Sequence, residues 1–388
     1  MFESFAMRDN SLPIMPALPV LGKNISLFKS NNSTSILNYS HISFLTSGGS
    51  AIYSALKAHD VSSSDEVLIP SYHCPAMVEP VISLGAKPVF YSITRDINID
   101  INSIKTKINH NTAAILVPHF FGVRSDIQAL REECRLPESI CIIEDCAHSF
   151  FSYSKNSVEH GDYIVGSLTK FFPTHDGGVL ASNAKALLPS ESLSLKQELK
   201  AIYNAVHDAV RFGRYKLLAW LFSIVAFLRN RETQDLQDND QVDYKKSDGS
   251  VSGYDDEYHK QMNLSASKAC KFIVKHADFA QVINKRKENY QYILNELANQ
   301  KYIDLSLNKL GDDFIPYMVV VKLLNPDKHH AKLISNRLPV WRWEHIYPSS
   351  CEIAKEYSRS IIQVPCHQQL TKAELISMVK GIKECLKE

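Results

Sequence analysis

Short apolar runs recur through the first half of this chain, each followed by a stretch with helical character, and this alternation limits the fold more than any single motif. The runs are Glu66–Ile69, Pro88–Tyr91, Ala113–Val117, Ile140–Ile143, Ile164–Ser167 and Val179–Ala181, with helices expected over Met77–Leu84, from Asn102 and from Asp126. Strands separated by helices need crossover connections, so the pattern predicts an α/β fold: a mostly parallel sheet covered by helices on both faces. Past about residue 260, a long helix over Ser265–Leu297, strands near Phe314–Leu323 and Ser360–Val364, and a terminal amphipathic helix predict a smaller C-terminal α/β domain. The expected division is a large domain over residues 1–186, an insert over 187–261, and a long connecting helix with the smaller domain over 262–388. There is no internal repeat.

Ligands of such sheets bind beyond the carboxyl ends of the strands, which is where Pro70-Ser71, His119, Asp145 and Lys170 would project. The run Ile140–Ile143 ends in Glu144-Asp145, and the next strand leads through Gly166-Ser167-Leu168-Thr169 to Lys170 and then to Gly177-Gly178. Upstream, Ser47-Gly48-Gly49-Ser50 opens a helix with apolar residues at Ile52, Ala55 and Leu56. Glycines let the backbone approach a phosphate, and a helix N-terminus offers free N–H groups and the positive end of its dipole. Each piece has an ordinary explanation: a solvated lysine, a turn-forming acid, a serine helix cap. Charges beside strongly apolar runs are expensive, however, and tend to be kept for function. An amine nucleophile, a carboxylate for a pyridinium nitrogen and a hydroxyl for a phosphate are together what pyridoxal 5'-phosphate (PLP) chemistry requires.

The order of these motifs, with Asp65-Glu66-Val67-Leu68-Ile69-Pro70-Ser71, Gly85-Ala86-Lys87-Pro88-Val89, Val117-Pro118-His119-Phe120-Phe121-Gly122 and Glu144-Asp145-Cys146-Ala147-His148, resembles the DegT family of fold-type I PLP-dependent aminotransferases. Val364-Pro365-Cys366-His367-Gln368-Gln369-Leu370-Thr371 resembles the family's closing segment. The resemblance implies that Lys170 is the Schiff-base lysine, that Asp145 partners the pyridinium nitrogen, and that His148 lies beside the cofactor's phenolic oxygen. It places Gly48, Gly49 and Ser50 on the phosphate-binding turn, although the family usually has Ser-Gly-Thr where this chain has Ser47-Gly48-Gly49; Ser50 is the expected replacement for the lost hydroxyl. The family's phosphate serine falls at Val165, so Ser167 is the expected substitute. Cys74 stands where an aromatic usually covers the ring, which leaves Tyr72 or His73 to stack instead. The implied reaction is amino transfer from glutamate or glutamine to a nucleotide-linked keto sugar, in polysaccharide or glycoconjugate biosynthesis, by a homodimer. A sugar dehydratase of the same family is the nearest alternative, but that branch typically replaces the lysine by histidine. A non-catalytic PLP-binding regulatory or scaffold protein is the other.

Trp341-Arg342-Trp343-Glu344-His345 could stack on a sugar or base and bind a phosphate, or could simply anchor the small domain; with His119, Trp341 and Arg342 are the candidate substrate contacts. The insert contains Leu217–Leu228, apolar on every helical face and flanked by Arg214, Lys216, Arg229 and Arg231. It is too short to cross a bilayer, which takes roughly 20 residues. Burial against the body or a partner subunit is expected, and weak association with a membrane surface is the alternative. Glu232–Glu257 reads as a solvated polar segment.

A net charge of +1 gives no electrostatic footprint for nucleic acid. The eight cysteines form no Cys-x-x-Cys pair, which argues for reduced thiols in a cytoplasmic protein and against a structural metal site. The first residues, with Glu3 and Arg8, do not resemble a secretory signal. His329-His330 is expected in a solvated loop after Pro326.

Overall fold

The computed structural model describes residues 15–22, 35–151, 161–215, 262–309, 314–343 and 345–387. The runs Leu217–Leu228 and Glu232–Glu257 lie outside the described residues. Seven strands form the principal sheet: β1 (His41–Leu45), β2 (Glu66–Pro70), β3 (Lys87–Tyr91), β4 (Thr112–Pro118), β5 (Cys141–Asp145), β6 (Tyr163–Ser167) and β7 (Gly178–Ser182), in the order β1-β7-β6-β5-β4-β2-β3. Strands β6, β5, β4, β2 and β3 pair in parallel, while β7 runs antiparallel to both β6 and β1. The expected mostly parallel α/β sheet is therefore present, with one reversed strand that the alternation alone did not reveal.

Side chains alternate across a strand, and here both faces are apolar because both are covered. Val67, Ile69, Leu116, Ile143 and Val165 pack on one side with residues of α1 (Gly48–Ala58) and α2 (Pro75–Ser83). Leu68, Ile115, Val117 and Ile142 pack on the other with α3 (Ile101–Lys107) and α4 (Ile127–Cys134). Capping side chains start these helices: Ser47 for α1, Asp100 for α3 and Asp126 for α4 each accept a backbone N–H three residues on. Helix α5 (Leu195–Arg211) follows β7.

The stretch expected as one long helix over Ser265–Leu297 is two: α6 (Lys268–His276) and α7 (Phe279–Leu297). The break falls at Ala277, which is extended, and Asp278 caps the second helix by accepting the Gln281 N–H. A second, antiparallel sheet follows: β8 (Ile303–Asp304), β9 (Met318–Leu323) and β10 (Ile361–Pro365), ordered β10-β9-β8. His329 and His330 lie not in a loop but in helix α8 (Pro326–Ser335), whose first turn accommodates Pro326, and His329 is buried. Helices α9 (Glu352–Ser360) and α10 (Lys372–Cys385) complete the chain. Val319, Val321, Ile362 and Val364 face a core shared with α7 and α10, whereas Met318, Val320 and Ile361 join the cluster containing Tyr72, Phe120 and Phe171. The second sheet thus reaches the carboxyl edge of the first through one of its own faces. Among the described residues, no helix is long and apolar enough to cross a membrane.

Candidate active site

Asp145 is the last residue of β5 and lies opposite Val165 of β6 in the parallel register. Lys170 ends a short 3-10 turn that follows β6, so two adjacent strands deliver the carboxylate and the amine to the same edge. Asp145 is buried, and its Oδ1 accepts the Ala147 N–H at 2.8 Å. Burial pushes its carboxyl above the ordinary range, opposed by the charge of Lys170 and the Ala147 hydrogen bond. Burial pulls the Lys170 amine below the ordinary lysine range, opposed by Cys74 and Asp145. The three groups share one electrostatic neighbourhood, with Cys74 at the N-cap of α2. The Lys170 Nζ also lies 5.3 Å from the centre of the Tyr317 ring, a residue the sequence did not single out.

The Ser47-Gly48-Gly49-Ser50 turn meets this edge from β1. A side chain at Gly48 would contact Ser167 Cβ at 3.6 Å and the Gly166 carbonyl at 3.7 Å, so the start of α1 lies against the end of β6. At Gly178 a Cβ would collide with the Ser47 backbone; this glycine is what allows β7 to pass so close to the turn. Ser167 Oγ is 3.2 Å from Thr169 Oγ1, which adds a second hydroxyl that the sequence reading passed over. Ser50 is buried, and its hydroxyl is engaged by Thr46 Oγ1 at 2.9 Å, Ser47 Oγ at 3.0 Å and Met262 Sδ at 3.5 Å. That network braces the turn from within, so the hydroxyl does not stand free to replace the missing threonine.

His148 is sandwiched between Tyr317, centroids 4.3 Å apart at 12°, and Phe121, 5.3 Å apart at 18°. Its Nδ1 accepts the Phe121 N–H at 3.0 Å, which leaves the proton of the neutral ring on Nε2. Burial, reinforced by the Lys170 charge, holds its pKa well below the ordinary histidine value, so it stays neutral. The two residues expected to stack on a ring are used elsewhere. Tyr72 packs on Trp343 and Phe120, and its buried hydroxyl has no hydrogen-bond partner among the described residues. His73 stacks on Phe90, its Nδ1 is 2.9 Å from the Pro70 carbonyl, and its Nε2 accepts the Tyr347 N–H at 3.0 Å. With both nitrogens bonded and its ring clustered with Phe90 and Tyr347, His73 is a structural bolt between α2 and the C-terminal segment.

Of the expected substrate contacts, His119 is 1% exposed and bound at Nε2 to Glu144 Oε2 at 2.9 Å, while its Nδ1 accepts the Ser125 N–H. It has no surface to offer a ligand. Glu144 Oε1 also accepts the Gly161 N–H at 2.6 Å, and Arg124 lies 4.0 Å away. Burial raises the Glu144 carboxyl, but these partners together outweigh it and hold the group below its ordinary range. His119, Glu144 and Cys146 offer ligand atoms within 4.8 Å of one another, yet the His119–Glu144 hydrogen bond already uses the shared space. Arg342 Nη1 donates to the Arg359 carbonyl at 2.8 Å, and Trp341 pairs with Gln363 through its backbone. The neighbouring Trp343 reaches the site, 4.9 Å from Tyr72 and 5.6 Å from His148, and Trp341 packs against the same core cluster. Its place in the tryptophan-rich run Trp341-Arg342-Trp343 was the available signal.

Residues 20–193 match the DegT/DnrJ/EryC1/StrS aminotransferase family. The chain is 29% identical to GDP-perosamine synthase of Vibrio cholerae over 50% of its own length and 53% of the relative's. It is 29% identical to dTDP-4-dehydro-2,3,6-trideoxy-D-glucose 4-aminotransferase of Saccharopolyspora spinosa over 35% and 36% of the two chains. It therefore spans about half or less of the length of these curated relatives. Its fold is that of NtdA from Bacillus subtilis, solved with bound cofactor PMP: TM-score 0.60 over 91% of this chain and 74% of that one, at 16% identity. The glycine turn, the strand-end aspartate and the lysine turn all lie inside the residues that match the DegT/DnrJ/EryC1/StrS aminotransferase family.

Proposed function

We propose that this chain is a PLP-dependent aminotransferase that converts a keto group on a nucleotide-linked sugar to an amine, with glutamate or glutamine as donor. The observation that carries the reading is the pairing of Lys170 and Asp145 in one buried neighbourhood beside the junction of Gly48 with Ser167. The residues fit the cofactor: a reachable amine, a buried carboxylate with one lone-pair direction occupied by Ala147, and a glycine cradle flanked by two hydroxyls. Lys170 would hold the group covalently, Asp145 its ring nitrogen, and Gly48, Gly49, Ser167 and Thr169 its phosphate. When bound, PLP supplies a ring that withdraws electrons from the bond being broken.

The remaining chemistry belongs to the protein. Burial lowers the Lys170 amine, so more of it is neutral near physiological pH, and a neutral amine can take a proton from a donor's α-carbon and return it nearby. Asp145, itself buried, would hold positive charge on the cofactor's ring nitrogen where such a charge pair is worth more than in solution. Neutral His148, fixed by Phe121, presents an N–H from Nε2 without adding a cation beside Lys170. The names of the two curated relatives support a nucleotide keto sugar as acceptor. Lysine rather than histidine at position 170 supports transamination over dehydration.

Incubation with PLP, borohydride reduction and peptide mass mapping should label Lys170. Glutamate or glutamine with a panel of keto-sugar nucleotides should then yield an amino-sugar product of the expected mass. Labelled Lys170 with no half-reaction from any amino donor would replace this reading by a non-catalytic PLP-binding role.

A further inference from the structure

Arg286 of α7 is fully buried, and all its resolved hydrogen bonds go to uncharged acceptors. Nε donates to Gln368 Oε1 at 3.0 Å, Nη1 to the carbonyls of Tyr317 at 3.0 Å and Pro316 at 3.2 Å, and Nη2 to the carbonyl of Lys170 at 2.6 Å. The guanidinium lies on the Phe171 ring, 4.4 Å from its centre. Gln368 closes the frame by donating from Nε2 to the Phe171 carbonyl at 2.7 Å. A buried cation is costly unless its hydrogen bonds are met, and a planar fork can meet several at fixed angles.

The choice of acceptors is informative. One is the carbonyl of the lysine itself, at the end of a turn only three residues long, too short to position a side chain by its own hydrogen bonds. Another is the carbonyl of Tyr317, whose ring lies over Lys170 Nζ and stacks on His148. A single guanidinium therefore fixes the backbone that carries the amine and the ring that limits where the amine can swing. It does so from the C-terminal part of the chain, 116 residues further on.

We propose that Arg286 is a positioning residue for Lys170: it holds the lysine turn and Tyr317 in register so that Nζ stays against the Tyr317 ring. The proposal rests on the reading that Lys170 carries the cofactor. Arg286 touches no reacting atom and acts through the Lys170 backbone and Tyr317.

The test uses Arg286→Lys and Gln368→Leu in the cofactor-loaded protein. Lysine keeps the charge but cannot span the same acceptors; leucine keeps Arg286 but removes one acceptor and the brace on Phe171. Both variants should still be labelled at Lys170 by borohydride. Arg286→Lys should lose about tenfold to a hundredfold in kcat with KM for the keto sugar within about threefold, as expected for misplacement rather than lost binding. The pH midpoint of the cofactor absorbance, which reports the amine's surroundings, should move by about half a unit or more. Gln368→Leu should shift both in the same direction by less, and decides the matter if Arg286→Lys does not fold. Labelled variants with parental midpoint and kcat, altered only in melting temperature, would reduce Arg286 to a structural role and overturn the proposal. A parent protein with no label on Lys170 would instead overturn the functional reading, and this proposal with it.

Discussion

Glu144 and Asp145 are neighbours on one strand, equally acidic and both buried, yet they are treated in opposite ways. Glu144 receives His119, the Gly161 N–H and the approach of Arg124, and is held below its ordinary range. Asp145 receives one backbone N–H and the nearby Lys170, and burial leaves it above its range. Successive residues point to opposite faces of a sheet, so a single step along β5 separates a carboxylate satisfied by the protein from one left with capacity to spare. A buried acid that the fold does not satisfy is the one to suspect of serving a ligand.

The contrast breaks most sharply at the amine. Lys170→Ala should abolish borohydride labelling and lower turnover by about three orders of magnitude or more, because nucleophile and proton carrier go together. Near-parental turnover would remove Lys170 from the chemistry. Asp145→Asn should leave labelling intact and slow single-turnover proton transfer by about a hundredfold, since the amide no longer holds a charged nitrogen. Glu144→Gln should do the reverse, costing about 2 kcal/mol in urea unfolding while leaving kcat within about twofold. If the two substitutions had like effects, the division between the neighbours would fail.

A smaller signature lies in the acid range. Glu144, lowered from 4.5, contributes stability that is present above that value and lost as pH falls through its folded pKa. Asp145, raised from 3.8, binds its proton more tightly when folded, so it costs stability as pH rises from about that value through its folded pKa. Urea titrations of cofactor-free protein across this range should show Glu144→Gln losing less stability on acidification than the parent, and Asp145→Asn losing more. Smallest of all, Arg342→Ala should change kcat/KM by less than about twofold and stability by less than about 0.5 kcal/mol, because its bond to the Arg359 carbonyl lies at an exposed surface.

Much of this was legible before the structure. The strand positions and the glycine, aspartate and lysine motifs depend on local pattern, and local pattern is written in consecutive residues. What was not legible depends on distant partners. The ordinary alternation of apolar residues gave no warning that β7 reverses, because antiparallel and parallel strands buried on both faces read alike. His119 looked like a ligand because it stands at a strand end, and His73 like a stacking ring because Cys74 stands where an aromatic is usual; only the positions of Glu144, Ser125 and Tyr347 show their nitrogens to be occupied. Arg286 was passed over since nothing near it in the chain distinguishes it from a surface arginine of an amphipathic helix. The tryptophan cluster was flagged through Trp341 and Arg342, but that Trp343 meets Tyr72 and His148 depends on partners distant in the chain.

The contact between the start of α1 and the end of β6 also bears on when the site comes into being. Gly48 and Ser167 are distant in sequence and are brought together because β7 pairs with β6 on one side and β1 on the other. Pairings of such long range form late, since the loop entropy must be spent before the contact repays it. An emerging chain can therefore assemble β2 to β6 with their helices and still have no phosphate cradle, because the strand that inserts between β1 and β6 is the last of the seven to leave the ribosome. The cofactor accordingly meets a finished sheet rather than a template for one, and its binding reports that β7 has found its place between β1 and β6.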